Sequence, residues 1–222
     1  MKKSLYPLLL LGAVLSTFHT VHAQCDRTAD SLELVQMYNA WAGPEWTNTW
    51  DLSEPLDSFY GTTLNAQGCV TGLDLFKNNL QGEIFDINLP ALSSLILSAN
   101  YELGGSLPNF SQIPQIHTIK LYGTFVGGSL PDFTYIPNLR EINLEFTQVS
   151  GQIPNFSNLP ALQSFFISSN NLTDTIPDFT NLPNLRSLKI GGGNSTGTIP
   201  DFAYLPFLST MSLVGNFSGD IP

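Results

Sequence analysis

Few residues of this chain have the chemistry of a catalytic group, and most of those follow a regular spacing. Residues 24–222 contain one histidine, His117, and two cysteines, so no His/Cys cluster has the spacing of a metal site. No glycine loop of the phosphate-binding type is present. Carboxylate pairs can hydrolyse a glycoside, but three aspartates recur at one step of a repeated phrase, where a short acceptor caps a turn: Asp132, Asp178 and Asp201. The sequence therefore predicts no catalytic residue, no metal site and no cofactor.

Five asparagines stand in the N-x-Ser/Thr pattern of a glycosylation site: Asn109, Asn155, Asn171, Asn194 and Asn216. The position of Asn109 and Asn155 is occupied by aspartate in sister repeats, and aspartate cannot carry an N-glycan. We therefore interpret most of these patterns as by-products of turn chemistry, and whether any of them is glycosylated stays open.

Residues 1–23 have the features of a secretory signal peptide. They combine a KK start, an apolar stretch over residues 5–15 and a VHA end, and they are too short and wrongly flanked for a stable membrane span. We expect a secreted or extracellular protein that begins at Gln24 and has no transmembrane segment once the signal is removed. A lipid anchor on Cys25 is the alternative.

The charge of the chain restricts the class of partner. The full sequence has a net charge of −10, and residues 24–222 hold six basic and eighteen acidic residues. An excess of negative charge repels phosphate backbones. We therefore expect no nucleic-acid partner.

Two prolines return about every 23 residues through most of the chain. One series comprises Pro90, Pro114, Pro137, Pro160, Pro183 and Pro206, and the other Pro108, Pro131, Pro154, Pro177, Pro200 and Pro222. Between them the consensus LPxLxxLxLxxNxLxGxIPDFTN is clearest at Leu159–Asn181. About seven copies can be drawn from residue 69 onward, and the last is cut off at Pro222, which predicts a fragment of a longer protein. A period of this length indicates a solenoid.

The consensus can be interpreted physically. Its xLxLx segment predicts a short strand with two apolar positions on one face, and such a strand must pair in parallel with its neighbours. The core pairs are Leu95/Leu97, Ile119/Leu121, Ile142/Leu144, Phe165/Ile167, Leu188/Ile190 and Met211/Leu213. An asparagine that can bond turn backbone groups follows, at Asn78, Asn100, Asn170 and Asn216. A phenylalanine fills the core on the return side, at Phe110, Phe133, Phe156, Phe179 and Phe202, and the prolines stiffen that side.

The phrase LxxLxLxxNxLxGxIP resembles the plant-type leucine-rich repeat of plant receptor-kinase ectodomains and of secreted bacterial proteins. The resemblance covers residues 70–222. It implies an α/β solenoid, a right-handed horseshoe or superhelix with a parallel concave β-sheet and short 3-10 or turn segments outside. Three repeats depart from the asparagine position, with Thr124, Thr147 and Gly193, so we expect differently bonded turns there and a loose stretch around the last.

Residues 24–68 predict an N-terminal cap, because a solenoid end exposes its core. Asp30 with Glu33 suggests a capping box on a helix that ends before a Gly-Pro pair. We expect the three tryptophans to form cap core rather than a sugar platform, and a hairpin to turn near residues 65–68. Plant members of the family have a cysteine pair around this hairpin, and here serine and threonine stand there. The only two cysteines, Cys25 and Cys69, predict a disulfide bond in an oxidising compartment, with two separate thiols as the alternative.

Two surfaces compete as binding sites. Strand positions that point away from the core vary in type, as a recognition face would. The candidates there are Phe76, Ile96, Lys120, Tyr122, Asn143, Glu145, Phe146, Phe166 and Lys189. The other surface is a polar row before the IP step: Ser106, Ser129, Gln152, Thr175, Thr198 and Asp220.

The pattern predicts a non-enzymatic, secreted or cell-surface module that binds a protein or peptide through its concave sheet. The alternatives are an accessory, targeting or spacer module of a larger enzyme or adhesin, and a carbohydrate- or ice-binding solenoid that uses the Ser/Thr row. Attachment to the cell would depend on a missing C-terminal part. The sequence does not identify the ligand or the oligomeric state.

Overall fold

The computed structural model describes residues 26–168, 171–173 and 176–218, without the side chains of residues 193–195. The chain begins with helix α1 (Arg27–Ala40) and two short 3-10 helices, Gly43–Glu45 and Leu56–Ser58. The strands are β1 (Thr62–Leu64), β2 (Val70–Asp74), β3 (Gln81–Glu83), β4 (Ser94–Ile96), β5 (Glu102–Gly104), β6 (Thr118–Lys120), β7 (Gly127–Ser129), β8 (Glu141–Glu145), β9 (Gln148–Gly151), β10 (Ser164–Ser168), β11 (Asn171–Leu172), β12 (Ser187–Thr198) and β13 (Thr210–Ser218).

The strands form one large sheet and two small ones. The large sheet has the order β1-β2-β4-β6-β8-β10-β12-β13 and is parallel except for the β1–β2 hairpin. The small sheets, β3-β5 and β11-β9-β7, collect the second strand of successive coils. Each coil therefore contributes one strand to the large sheet, turns, and returns over its prolines. This arrangement confirms the predicted parallel solenoid.

The core lies inside the coils, as predicted from the alternation of apolar and polar residues along the strands. The five predicted pairs from Leu95/Leu97 to Leu188/Ile190 are buried completely. Four phenylalanines of the return side are buried as well, and neighbouring rings lie with centroids 5.8–6.4 Å apart. The prediction is wrong for Met211, which is exposed, and Phe202 and Leu213 are only partly buried. Met211 and Leu213 lie on β13, the last strand of the described sheet, which has a strand partner on one side only.

The asparagine position works as a bridge between coils. The side-chain amide of Asn100 donates to the carbonyl oxygens of Leu97 at 2.7 Å and Leu75 at 2.9 Å. Its oxygen accepts from the backbone N–H groups of Asn78 at 2.9 Å and Leu80 at 3.0 Å. Because both asparagines are buried, these bonds satisfy backbone groups that water does not reach.

The variant coils keep part of this bonding. Thr124 and Thr147 are buried, and each hydroxyl donates at 2.8 Å to the carbonyl three residues earlier, which repeats one bond of Asn100. The predicted buried role of Asn216 is wrong: the chain stays extended there, pairs with Thr196, and leaves the side chain exposed. The stretch at Gly193, expected to be loose, is likewise part of strand β12. Asn170 lies outside the described residues.

The predicted capping box of Asp30 and Glu33 is wrong, because both residues attach the cap to the repeats instead. Helix α1 is capped by Asp26, whose carboxylate accepts from the backbone N–H two residues on. Asp30 is buried and accepts from the N–H of Val70 at 2.8 Å, while Glu33 accepts from the N–H of Asn88. These two carboxylates therefore connect the helix to the repeats.

The tryptophans are cap core, as predicted. Trp41, Trp46 and Trp50 are buried, and each indole N–H donates to a backbone carbonyl at 2.6–3.0 Å. Aromatic rings with buried N–H partners offer no flat surface to a sugar. The β1–β2 hairpin turns over residues 65–68, also as predicted.

The predicted disulfide falls partly outside the described residues. Cys69 is buried, and no free cysteine occurs in the part of the chain that is described. Its predicted partner Cys25 and the whole predicted signal peptide lie outside that part, so the pairing and the cleavage site stay predictions.

Candidate functional site

The outward face of the large sheet, called the concave face below, carries the nine predicted binding residues. Six of them lie close together on or directly after β6, β8 and β10; these form the central cluster: Lys120, Tyr122, Asn143, Glu145, Phe146 and Phe166. Phe76 and Ile96 lie two strands and one strand earlier, and Lys189 lies on the strand after β10. Alternation along the strands places eight of these side chains opposite the buried leucines, and Phe146, which follows Glu145 at the end of β8, lies outside this alternation.

Ion pairs hold the charged residues of this face in place. Lys120 lies 3.0 Å from Glu141 on the neighbouring strand. The amine of Lys189 pairs at 2.5 Å with a carboxylate oxygen of Glu145, across the intervening strand β10. Glu145 is further fixed because its backbone N–H donates to the side-chain oxygen of Asn143 at 3.0 Å. The charges are thus internally compensated, and the surface they leave is nearly neutral.

The aromatic contact on this face joins two neighbouring coils. Tyr122 contacts Phe146, edge to face, with ring centroids 5.4 Å apart, and not Phe166. The reason is register: Phe166 lies opposite Asn143, which lies opposite Lys120, and Lys120 precedes Tyr122 by two residues. Tyr122 therefore contacts Phe146, the residue that directly follows the end of β8.

Phe146 is held in a backbone conformation that bulky residues seldom adopt. Its φ is 54°, in the left-handed region, and the equivalent residue one coil earlier is Gly123 with φ 65°. The backbone N–H of Phe146 donates to Ser168 at 3.0 Å on the next coil, and the ring is exposed. The same left-handed conformation occurs at the equivalent positions of earlier coils, at Lys77 and Ala99, so it belongs to the turn of the repeat. The exposed aromatic ring is what distinguishes Phe146 from these residues.

An open groove of about 760 Å³ continues from Phe146 toward the last described coils. Its lining includes Lys189 from the nine predicted binding residues, and also residues outside those nine: Ser168, Gln148, Gly191, Gly192, Val214, Gly215 and Asn216. The glycines keep its floor low because they carry no side chain. The GGG run is the sequence signal for this low floor, although by itself it predicts a loose stretch.

Two exposed aromatic residues beside the central cluster were also missed. Tyr101 and Phe125 directly follow the buried Asn100 and Thr124, at equivalent positions of adjacent coils. The ring of Tyr101 lies against the backbone of Gly123, where an added Cβ would meet it at 3.3 Å. The recurrence of an aromatic residue after the ladder position could have identified this pair.

The predicted polar row runs obliquely across its strands. In the small sheets the strands pair with an offset of 21 residues, so Ser106 lies opposite Gly127, and Ser129 opposite Ser150. Residues 23 apart are therefore displaced by two positions, about 6.6 Å, along the strand. Thr175 and Asp220 of this row lie outside the described residues.

The recurrent carboxylates serve turns rather than a reaction centre. Each aspartate or asparagine before the return phenylalanine accepts from the backbone N–H two residues on, at 2.9–3.3 Å. The Thr134 hydroxyl and backbone N–H lower the pKa of Asp132. The backbone N–H of His117 donates to Ser93 of the preceding coil, and its carbonyl oxygen accepts from Arg140 of the next coil. Within residues 26–168, 171–173 and 176–218, no group of three or more His, Cys, Asp or Glu residues could hold a metal ion.

Solved structures with the same architecture are known, although no protein-family model and no curated protein matches the sequence. The leucine-rich repeat ectodomain of the Arabidopsis receptor kinase HAESA, in complex with an IDA peptide hormone, has a TM-score of 0.73 and 25% identity over 85% of this chain. PEPR1 in complex with AtPEP1 has a TM-score of 0.68, with 21% identity over 86% of the chain. A plant ice-binding protein has a TM-score of 0.70, with 21% identity over 86% of the chain and 72% of its own.

The chain spans about a third of the length of the first two structures, 33% and 32% respectively. The structures at 21% identity support the fold alone. In the described part of the chain, no helix has both the length and the apolar character needed to cross a bilayer.

Proposed function

We propose that this chain, a leucine-rich repeat protein of the plant type, is an extracellular module that binds a protein or peptide through the central cluster of its concave face. The observation that carries the proposal is the contrast between the two faces of the large sheet. Its inward pairs from Leu95/Leu97 to Leu188/Ile190 are all aliphatic or aromatic and buried, whereas its outward positions combine exposed rings with compensated charges. Such a combination is typical of interface hot spots.

The geometry supports a protein or peptide ligand in two further ways. The ion pairs of Lys120 and Lys189 hold long side chains in place before binding, so less conformational entropy is lost on association. The turn after β8 places the exposed ring of Phe146 beside Tyr122 and at the mouth of the groove. The HAESA ectodomain, which shares the fold, was solved with a peptide hormone bound.

Location outside the cell and the absence of enzymatic chemistry belong to the same proposal. The signal-peptide features of residues 1–23 and the ectodomain nature of HAESA support export. The recurrent carboxylates are engaged in turns, which supports a binding role. A role as accessory or spacer module remains the alternative, as does a carbohydrate- or ice-binding row; the two-residue displacement of that row weakens its match to a regular lattice.

Selection from a displayed library of random peptides tests the proposal. We expect peptides that bind the full chain and that lose about tenfold or more in affinity when Tyr122→Ala and Phe166→Ala are combined. The matched control is Tyr135→Ala with Tyr204→Ala, which removes two exposed rings outside the cluster. An unchanged melting temperature is expected for both variants. A large loss of stability with binding retained per folded molecule would show that the cluster rings are scaffold.

A further inference from the structure

Five exposed aromatic rings border the carboxyl-terminal edge of the large sheet over four successive coils. Their exposed fractions are between 37% and 64%, which is high for side chains of this size; we call them the edge strip: Phe76, Tyr101, Tyr122, Phe125 and Phe146. Only two of them belong to the central cluster. Exposed rings grouped in this way mark an interaction surface more often than isolated ones do.

One pair of these rings defines a spacing along the solenoid. Phe76 and Tyr122 occupy the same repeat position two coils apart, with the buried Ser98 between them. Two coil steps correspond to about 9.6 Å, since parallel strands lie about 4.8 Å apart. Tyr101 lies over Gly123, and Tyr122 continues to Phe146 through the 5.4 Å ring contact, so this part of the strip is continuous.

This spacing fits one kind of extended backbone. A polyproline II segment rises about 3.1 Å per residue with three residues per turn, so side chains on one side recur about every 9.3 Å. Aromatic-lined grooves bind such segments because the ligand loses little entropy on binding. If a polyproline II peptide ran along the solenoid axis, every third of its side chains would face the same repeat position in every second coil.

Charge favours a cationic ligand. Eighteen acidic residues face six basic ones in residues 24–222. Two of the basic residues near the strip, Lys120 and Lys189, already pair with glutamates. The exposed Asp74 and Glu102 stand close to strip residues in the sequence and outnumber the exposed Lys77, which follows Phe76. Elsewhere in the chain the Arg186 guanidinium lies 5.4 Å from the ring centre of Phe207, a contact that cations and exposed rings form readily.

We infer that the edge strip binds an extended, polyproline-like peptide segment that carries arginine or lysine. This inference rests on the proposed binding function and names the chemistry of its partner. The rings would contact the prolines and the stems of the basic residues, and the negative field of the chain would attract their charges.

Binding of labelled synthetic peptides to the full chain, followed by fluorescence anisotropy, tests the inference. A peptide of four Pro-Pro-Arg triplets should bind about tenfold or more tightly than one of four Pro-Pro-Glu triplets and than one of four Gly-Ser-Arg triplets. Combining Tyr101→Ser with Phe125→Ser should weaken binding of the first peptide about tenfold. The matched control, Tyr135→Ser with Tyr204→Ser, removes rings of similar exposure, 54% and 64%, and should leave binding unchanged.

Each contrary result overturns the inference. Equal binding of the Gly-Ser-Arg peptide would show attraction by charge alone, and equal binding of the acidic peptide would exclude a cationic preference. A binding loss that is the same in the control pair would remove the strip as the site, as would tighter binding of a neutral oligosaccharide probe than of any peptide. Library peptides that depend on Tyr122 and Phe166 but lack this chemistry would leave the proposed function standing while the strip assignment fails.

Discussion

The side-chain oxygen of Asn100 accepts a hydrogen bond at 2.9 Å from the backbone N–H of Asn78, one coil earlier in the solenoid. The same side chain donates to the carbonyl oxygens of Leu75 and Leu97. One buried amide thus closes its own turn and attaches it to the preceding coil. Because neighbouring coils depend on each other for stability in a solenoid, this residue couples the cap-proximal coils.

Replacement of Asn100 by alanine should therefore be among the more destabilising single changes in the early coils. The variant leaves buried N–H and carbonyl groups without partners, and we expect a loss of about 3 kcal/mol or more in the free energy of unfolding. Thr147→Val is the matched control, since it removes a single donated bond and should cost about 1 kcal/mol. Urea denaturation measures both, and equal losses would contradict the coupling role.

Phe146 and Phe133 share the left-handed backbone conformation, with φ values of 54° and 56°, but only Phe133 is buried. Glycine adopts this conformation without steric cost. We expect Phe146→Gly to leave the stability unchanged or raise it by up to about 1 kcal/mol, while it weakens ligand binding. Phe133→Gly should lose several kcal/mol, about 3 or more, because a core ring is removed. Thermal melts of both variants decide, and a strongly destabilised Phe146→Gly would show that this ring is structural.

Asp30 should make the stability of the cap depend on pH. Burial raises the pKa of its carboxyl, and the negative charge of Asp26 adds to this, although the Val70 N–H opposes it. A raised folded-state pKa means that the folded protein binds the proton more tightly than the unfolded chain. The stabilising contribution is therefore complete below the ordinary pKa of 3.8 and is lost as pH rises through the higher folded-state pKa.

Asp30→Asn tests this sign, since the amide oxygen still accepts from Val70. Relative to the unchanged protein, the variant should gain stability as pH rises from about 4 toward neutrality. Asp132→Asn is the control of opposite sign, because the Thr134 bonds lower the pKa of Asp132. Its native carboxylate stabilises above the ordinary pKa and loses this contribution as pH falls through the folded-state value. Unfolding curves that extend from neutrality to well below the ordinary pKa of 3.8 measure both, and a pH-independent difference for Asp30→Asn would contradict the assignment.

The predicted Cys25–Cys69 bond should fasten the N-terminus to the start of the first coil. For a loop of about 44 residues the chain-entropy model gives roughly 4 kcal/mol. Alkylation of the folded, secreted protein without reductant, followed by intact-mass measurement, should find neither thiol modified and a chain that begins at Gln24. Two alkylated thiols would contradict the bond, and a lipidated Cys25 or a retained leader would contradict the cleavage site.

The coil follows from the sequence alone, because proline, leucine and asparagine positions recur at one period and each has a single local function. The strands, the buried pairs from Leu95 to Ile190 and the turns at the recurrent aspartates all follow from alternation and turn chemistry. These are short-range effects, so neighbouring residues contain the information. The same reasoning predicted the helical cap and buried tryptophans, since a solenoid end requires cover.

The tertiary structure decided which side chains meet between coils. A period cannot say that Tyr122 contacts Phe146 rather than Phe166, or that Lys189 reaches Glu145 across a whole strand. The offset of 21 residues in the small sheets, against 23 in the large one, likewise follows from how a curved coil closes. Such contacts depend on the register between strands and on the direction of the backbone after each strand. Both are set only when the coils pack together.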